Sequence, residues 1–296
     1  MYAIDATNGE RLWRYGEIYA NHSGPTTDGD TVYVGSNLSE GTFLVALDAA
    51  SGDPLWRRAP AGGPIDSAPA VSAGVVYAAS FDGSVDAFDT RTGTTVWEFT
   101  ISDPGWFLSE PVVDGGTVFV VSSSGNVYAL EATTGAVRWQ YEVGHAGFPK
   151  LALEGDALYV AVGDAIHAVG TDSGDLLMRY PQMDLGSGIA VSDGILYART
   201  AGDALTAWSA ATGAVVWRFD DSQISSPPVA FEGVVYAGSF DGRLFAFNAI
   251  TGEVLGEFSA GPGYVGDMTI SDTTVYVASG AGRLYAASRL YAIEPD

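Results

Sequence analysis

The chain has 296 residues, 13 Lys+Arg against 36 Asp+Glu for a net charge of −23, no cysteine, 38 glycines and 47% hydrophobic residues. The missing cysteine excludes a disulfide scaffold, a thiolate-held zinc and a cysteine nucleophile, and the apolar content excludes a disordered acidic tail. The charge sign argues against a nucleic-acid partner, because duplex binding rests on Lys and Arg neutralising phosphates.

The chain opens on MYAIDATNGERLW, which lacks the basic first region and continuous apolar stretch of a signal peptide. Either the protein stays inside the cell or a leader lies upstream of this chain, in which case a cell-surface or extracytoplasmic place is expected. No stretch reaches the roughly 18 apolar residues of a membrane span, so no transmembrane segment is predicted.

From this start one motif recurs: an apolar pair, Ala, apolar, Asp, three residues ending in Thr or Ser, Gly, then Trp four residues on. Its slots are Asp5–Gly9–Trp13, Asp48–Gly52–Trp56, Asp89–Gly93–Trp97, Glu131–Gly135–Trp139, Gly170–Gly174–Met178, Ser209–Gly213–Trp217 and Asn248–Gly252–Gly256. The glycines are 43, 41, 42, 39, 39 and 39 residues apart, and the spacing inside the motif never slips. A fixed period of this size marks a repeat architecture.

Each copy predicts four short strands. Within residues 68–101 the first is A-P-A-V-S, the second V-V-Y-A-A-S, the third V-D-A-F-D and the fourth T-V-W-E-F-T. Turn signals every 8–12 residues separate them, as antiparallel neighbours require. The second strands are apolar on both faces, as in Thr31-Val32-Tyr33-Val34, which predicts sheets covered on both sides. Four-stranded sheets stacked face to face are propeller blades.

These slots resemble the quinoprotein-type (PQQ-like) β-propeller repeat, written here as V-Y-A-L-E-A-T-T-G-A-V-R-W at 127–139. The resemblance covers essentially the whole chain and implies a structural role for the slot tryptophans Trp13, Trp56, Trp97, Trp139 and Trp217, docked between adjacent blades. Trp208 occupies an apolar slot held elsewhere by Leu47, Phe88 and Leu130.

Both the second-strand aromatic and the glycine turn appear seven times, which predicts an all-β, seven-bladed propeller. It would form one domain over residues 1–296 and a monomeric ring, its last blade shared between 1–15 and 264–296. Third-strand motifs number nine, however, with 284–288 and 290–294 in surplus at the C-terminal end. An eight-bladed ring, or an eight-bladed parent shortened upstream, is the alternative.

Candidate contact residues fall on the loops joining a fourth strand to the next first strand and a second to a third, where length varies on a fixed scaffold. The spacing puts the extra length early, at 15–23, 36–42, 59–67 and 100–110. Tyr19, His22, Trp106, Phe107, Glu110, His145 and Lys150 are the candidate rim residues. Trp106 lies outside every repeat slot; it is either an exposed anchor or a side chain folded back over its own blade. His167 occupies the slot of Tyr2, Tyr128 and Phe245 and reads as packed structure. Asp82-Gly83 and Asp241-Gly242 read as turn residues, and the histidines lack metal-ligand spacing.

The resemblance leaves two function classes. Quinone-dependent dehydrogenases of this family hold the quinone over the central funnel with a Trp platform, a calcium ion, an Asp base and, in many, a disulfide of neighbouring cysteines. This chain has no cysteine and matches no catalytic motif residue by residue, so neither PQQ nor calcium is expected and no catalytic or metal-ligating residue is assigned. The other class is the non-enzymatic, BamB-like branch, whose ring presents loops to protein partners. A protein-interaction or scaffold module is the expected function, with a dehydrogenase-like or small-ligand- or carbohydrate-binding propeller as the alternative. The basic residues add a statement about environment. Twelve are Arg, Lys150 is the only lysine, and Asp outnumbers Glu 24 to 12. Such a surface is expected of a haloarchaeon or other halophile, or of an ordinary acidic protein.

Overall fold

The computed structural model describes the chain apart from residues 6–9, 17–23, 39–40, 61, 66, 103–104, 108, 145–148, 164, 182–187, 201, 221–222, 261–262, 272–273, 280–282 and 289–296. The described residues form β-strands, turns and connecting segments, with no helix among them. Strands at Ala70–Ser72, Val75–Ala79, Ser84–Asp89 and Thr95–Thr100 form one antiparallel sheet in chain order. This is the sheet predicted from residues 68–101. Five further four-stranded sheets repeat it over residues 26–58, 112–142, 150–181, 189–219 and 229–259.

Two more sheets bring the total among the described residues to eight, which corrects the seven-blade reading to the eight-bladed alternative. Tyr2–Ile4 pairs with Arg11–Arg14 in a sheet of its own. Val265–Ser271 and Thr274–Ser279 take Arg283–Ser288 as their third strand. The second-strand aromatic Tyr276 therefore sits opposite Ala286, not opposite Ala3. Seven glycine turns accompany eight sheets because, among the described residues, the eighth sheet shows three strands and no turn leading to a fourth. The motif at 290–294 lies outside the described residues.

The chain divides into two compact units. The first comprises residues 1–149 and 173–175 and holds the first four sheets; the second comprises 150–172 and 176–296 and holds the other four. In the first unit, the leading strands Thr26–Thr27, Ala70–Ser72 and Val112–Asp114 lie side by side in succession. In the second, Lys150–Glu154, Ile189–Ser192, Val229–Phe231 and Val265–Ser271 do the same. Within each unit the middle strands are covered on both faces, as in Thr117–Val121 and Val234–Gly238, whose five residues are all buried. The fourth strands alternate: in Thr95–Thr100 only Trp97 is buried. This is the pattern of stacked propeller blades, with sandwiched inner strands and a half-solvated outer strand.

Apolar layers fill the space between neighbouring sheets. Tyr33, Leu44, Ala46 and Trp56 of the second sheet meet Val76, Ala78 and Phe88 of the third. Tyr197, Leu205, Ala207 and Trp217 meet Val235, Ala237 and Phe247 in the second unit. The period-2 alternation of strands thus sends each sheet's two faces into two different layers.

Candidate functional site

The repeat motif builds an outer clasp at six of the sheets among the described residues. In the Asp89 turn the carboxylate accepts the N–H groups of Arg91 at 3.1 Å and Thr92 at 2.9 Å, and Gly93 N–H closes on the Asp89 carbonyl at 2.8 Å. Asp48 and Asn248 hold their turns in the same way. These hydrogen bonds, led by those from Ser51 and Thr92, hold the carboxyls of Asp48 and Asp89 below the usual range. Gly93 has a φ of +65°, and the Trp56 ring of the preceding sheet fills the place where a Cβ would stand. Trp13 covers Gly52, Trp97 covers Gly135, Trp139 covers Gly174 and Trp217 covers Gly252 in the same way. Indole N–H groups then donate to the next sheet: Trp13 to Ala49 O, Trp56 to Thr90 O, Trp97 to Ala132 O and Trp217 to Ala249 O, at 2.8–2.9 Å.

Of the turn glycines covered in this way, Gly213 meets a different side chain. Met178 stands in the Trp slot with its sulfur over Gly213, and it has no N–H to give. Tyr180, two residues on, supplies the missing donor: its hydroxyl donates to Ala210 O at 2.7 Å, the counterpart of Ala49 O and Ala132 O. Sequence reasoning missed this substitution. The signal was a Tyr on the same face of the strand, two residues past an apolar side chain in the slot.

At the other end of the first unit's sheets the loops form a distinct surface. The Ser80-Phe81-Asp82-Gly83 turn joins a second strand to a third. Gly83 has a φ of +84° and its N–H donates to Ser80 O at 3.2 Å. Ser80 Oγ donates to Asp82 Oδ1, and Ser84 N–H donates to the same oxygen at 3.2 Å. Burial alone would raise the Asp82 pKa; hydrogen bonds from Ser80, the Gly63 N–H and Ser84 outweigh it and hold the carboxyl below the usual range. Asp82 is therefore an ionised carboxylate built into the turn.

The loop from Thr100 towards Val112 crosses this turn. Ile101 N–H donates to Gly83 O at 3.0 Å and Phe107 N–H to Ser80 O at 3.1 Å. Phe107 is wholly enclosed, edge-on to Tyr128 at 6.2 Å. It is the plug of the loop, and a side chain with no exposed surface cannot itself meet a partner. Trp106, held by Ser123 N–H donating to its carbonyl at 2.8 Å, projects outward and stacks on Phe81 with ring centroids 5.4 Å apart and planes 4° apart. Trp106 keeps 43% of its surface exposed and Phe81 keeps 40%. Phe81 was not singled out in the sequence because S-F-D-G reads as an ordinary hairpin turn.

The remaining candidates are scattered. Glu110 is exposed at the end of the Trp106 loop, and Lys150 is exposed at the start of its strand in the other unit. Tyr19, His22 and His145 lie outside the described residues. His167 is buried in its strand opposite Arg179. The first unit also has a cleft of about 500 Å³ at the opposite end of its sheets, lined by Asp28, Asp30, Tyr33, Leu55, Thr90 and Arg91. There Tyr33 Oη donates to Asp28 at 2.8 Å, and burial, followed by that carboxylate, pushes the Tyr33 pKa up to about 12. No group of three His, Cys, Asp or Glu able to hold a metal ion occurs among the described residues.

The model of the family described as outer membrane protein assembly factor BamB matches residues 1–148 and 162–290. The chain belongs to this BamB family. A BamB from Yersinia pestis is 32% identical over 113 residues, 34% of this chain and 28% of the relative. A second, from Burkholderia pseudomallei, is 35% identical over 96 residues, 32% of this chain and 24% of the relative. The matched stretches thus span about a quarter of the length of these curated relatives. The crystal structure of BamB from Moraxella catarrhalis superposes with a TM-score of 0.79 at 19% identity, covering 94% of this chain and 88% of that one. The quinohemoprotein alcohol dehydrogenase from Comamonas testosteroni gives 0.76 at 17% identity, covering 94% and 67%. At such identities these likenesses establish the fold that the BamB family shares with the dehydrogenases, and function has to be argued from the site.

Proposed function

We propose that this protein is a non-catalytic interaction module that engages a protein partner through the loop end carrying Phe81 and Trp106. The observation that carries this reading is the coplanar, 40%-exposed aromatic pair on a loop pinned by backbone hydrogen bonds. Tryptophan is among the residues in which interface hot spots are enriched, and a partner covering this pair would complete its desolvation. Membership of a family named for assembly supports the class. Outer-membrane protein assembly is the role in the relatives' name, and only the interaction class is carried to this chain. A quinone-dependent activity is the reading set aside, and neither PQQ nor calcium has a role in the proposal. An extracytoplasmic place and a saline habitat fit the family and the lysine-poor, acidic composition respectively.

A photo-crosslinking residue placed at Trp106, and separately at Leu55 on an outer strand, tests the reading in the source cells. A discrete protein adduct from position 106 and none from Leu55, itself 53% exposed, is the expected result. Equal patterns from both positions, or calcium-dependent dye reduction by the purified protein with PQQ, would overturn it.

A further inference from the structure

The repeat contains a second turn built like the one that carries Phe81. Phe240 is its counterpart: it sits in a Ser239-Phe240-Asp241-Gly242 turn with the same hydrogen bonds, Gly242 N–H to Ser239 O and Ser239 Oγ to Asp241. Phe240 N–H donates to Gln223 O at 2.8 Å as Phe81 N–H donates to Pro64 O at 2.8 Å. Over Phe240 lies a guanidinium from the preceding sheet, with Arg199 Cζ 6.0 Å from the ring centroid. Arg199 is held there by Asp203 at 2.8 Å and by Ile224 O at 3.3 Å. The counterpart of Ile224 is Ile65, two residues before the matching serine, Ser226 or Ser67.

The counterpart of Arg199 is Gly35. Both stand two residues after the second-strand tyrosine, and each pairs with a leucine of the third strand, Arg199 with Leu205 and Gly35 with Leu44. At the Phe81 position the ring and the Asp82 carboxylate are present, and a glycine stands where Arg199 stands before Phe240. Elsewhere the chain covers aromatic faces with its own arginines, Arg57 over Phe43 at 4.8 Å and Arg243 over Phe245 at 4.9 Å. Among the described residues none lies over Phe81 or Trp106. The surrounding molecule carries a net charge of −23.

We infer that the Phe81–Trp106 platform is a receptor for an arginine side chain on a basic segment of the partner, the guanidinium lying on the aromatic pair where Arg199 lies on Phe240. This deepens the interaction-module reading and rests on it. The guanidinium suits the site better than an ammonium because it is planar, stacks on ring faces and is weakly hydrated.

The probes are three short capped peptides, glycine-spaced and carrying two arginines, two lysines or two citrullines. They are titrated into protein labelled with 5-fluorotryptophan, with the Trp106 signal assigned through Trp106→Phe. In 1 M KCl, where the Debye length is about 3 Å, the arginine peptide is expected to shift the Trp106 signal and to bind more tightly than the other two. Phe81→Ala is expected to weaken it roughly two- to fivefold, while Phe240→Ala leaves it unchanged. Equal binding of the lysine peptide, or an unaltered affinity in Phe81→Ala, would overturn the inference. A crosslinked partner at position 106 whose contact segment contains no arginine would sink the arginine receptor and leave the module standing. Arginine binding with no adduct at position 106 would do the reverse.

Discussion

A Cβ on Gly135 would lie 2.6 Å from the Trp97 ring, and the residue's φ is +71°. Both facts forbid a side chain, one through the neighbouring sheet and one through the backbone. Gly116, in the same sheet, has a φ of +75° but open space where its Cβ would be. The pair separates the two effects. Gly116→Ala should cost the left-handed penalty alone, about 1–2 kcal/mol. Gly135→Ala should cost that and a further 1–3 kcal/mol or so, because overpacking must push the indole off its seat and stretch the bond to Ala132 O. Urea midpoints of the two variants measure the difference, and equal losses would show that the Trp–Gly seat contributes nothing beyond turn geometry.

At the scale of the strand, the second-strand tyrosines reach from the inner strand the same carbonyls that the tryptophans reach from the outer one. Tyr77 Oη donates to Ala132 O at 3.2 Å and Tyr197 Oη to Ala249 O at 3.1 Å, the same carbonyls that receive Trp97 and Trp217. Burial pushes the pKa of Tyr180 and Tyr236 up to about 12 and raises that of Tyr197 further. A tyrosine in an unfolded chain titrates near 10. The folded-state values are raised, so these groups contribute their full stability below about pH 10 and lose it as the pH climbs through about 12. Absorbance at 295 nm followed together with circular dichroism should therefore show the buried tyrosinates appearing only as the sheets melt, within that window. Tyrosinate formed near pH 10 with the sheets intact would contradict it. The strands themselves were legible in the sequence, because a period of 2 and a turn every ten residues are local signals. The count of sheets was not. Tyr2–Ile4 and Arg283–Ser288 carry equally good third-strand motifs, and local sequence cannot say which of them pairs with Thr274–Ser279. Trp106 was legible as a residue outside every slot, whereas its partner Phe81 lies 25 positions away inside a turn that looks purely structural.

For the molecule as a whole the fold leaves the acidity unexplained. Ion pairs among the described residues include near neighbours, Glu131 with Arg138, Asp203 with Arg199, Asp220 with Arg218 and Asp241 with Arg243, and one pair across two strands, Arg243 with Glu257 at 3.7 Å, and all are partly exposed. Such pairs contribute little individually. Even one-to-one pairing of all 13 basic residues would leave 23 of the 36 carboxylates unmatched. The clasp and the inter-sheet layers are apolar or hydrogen-bonded and gain nothing from a negative surface, so the surplus acts on the folded state only through self-repulsion. Screening that repulsion should stabilise the fold: the Debye length falls from about 30 Å at 0.01 M salt to about 3 Å at 1 M. Thermal unfolding is expected to shift upward by roughly 5–10 °C over this range of KCl. Guanidinium chloride distinguishes screening from a general salting-out effect, since it is a denaturant whose cation screens like any other. Below about 0.2 M, where screening already shortens the Debye length towards 8 Å, it should raise the midpoint before it lowers it. A midpoint that falls from the first addition of guanidinium chloride, together with full stability in dilute KCl, would show that the surface tolerates its charge without help from salt.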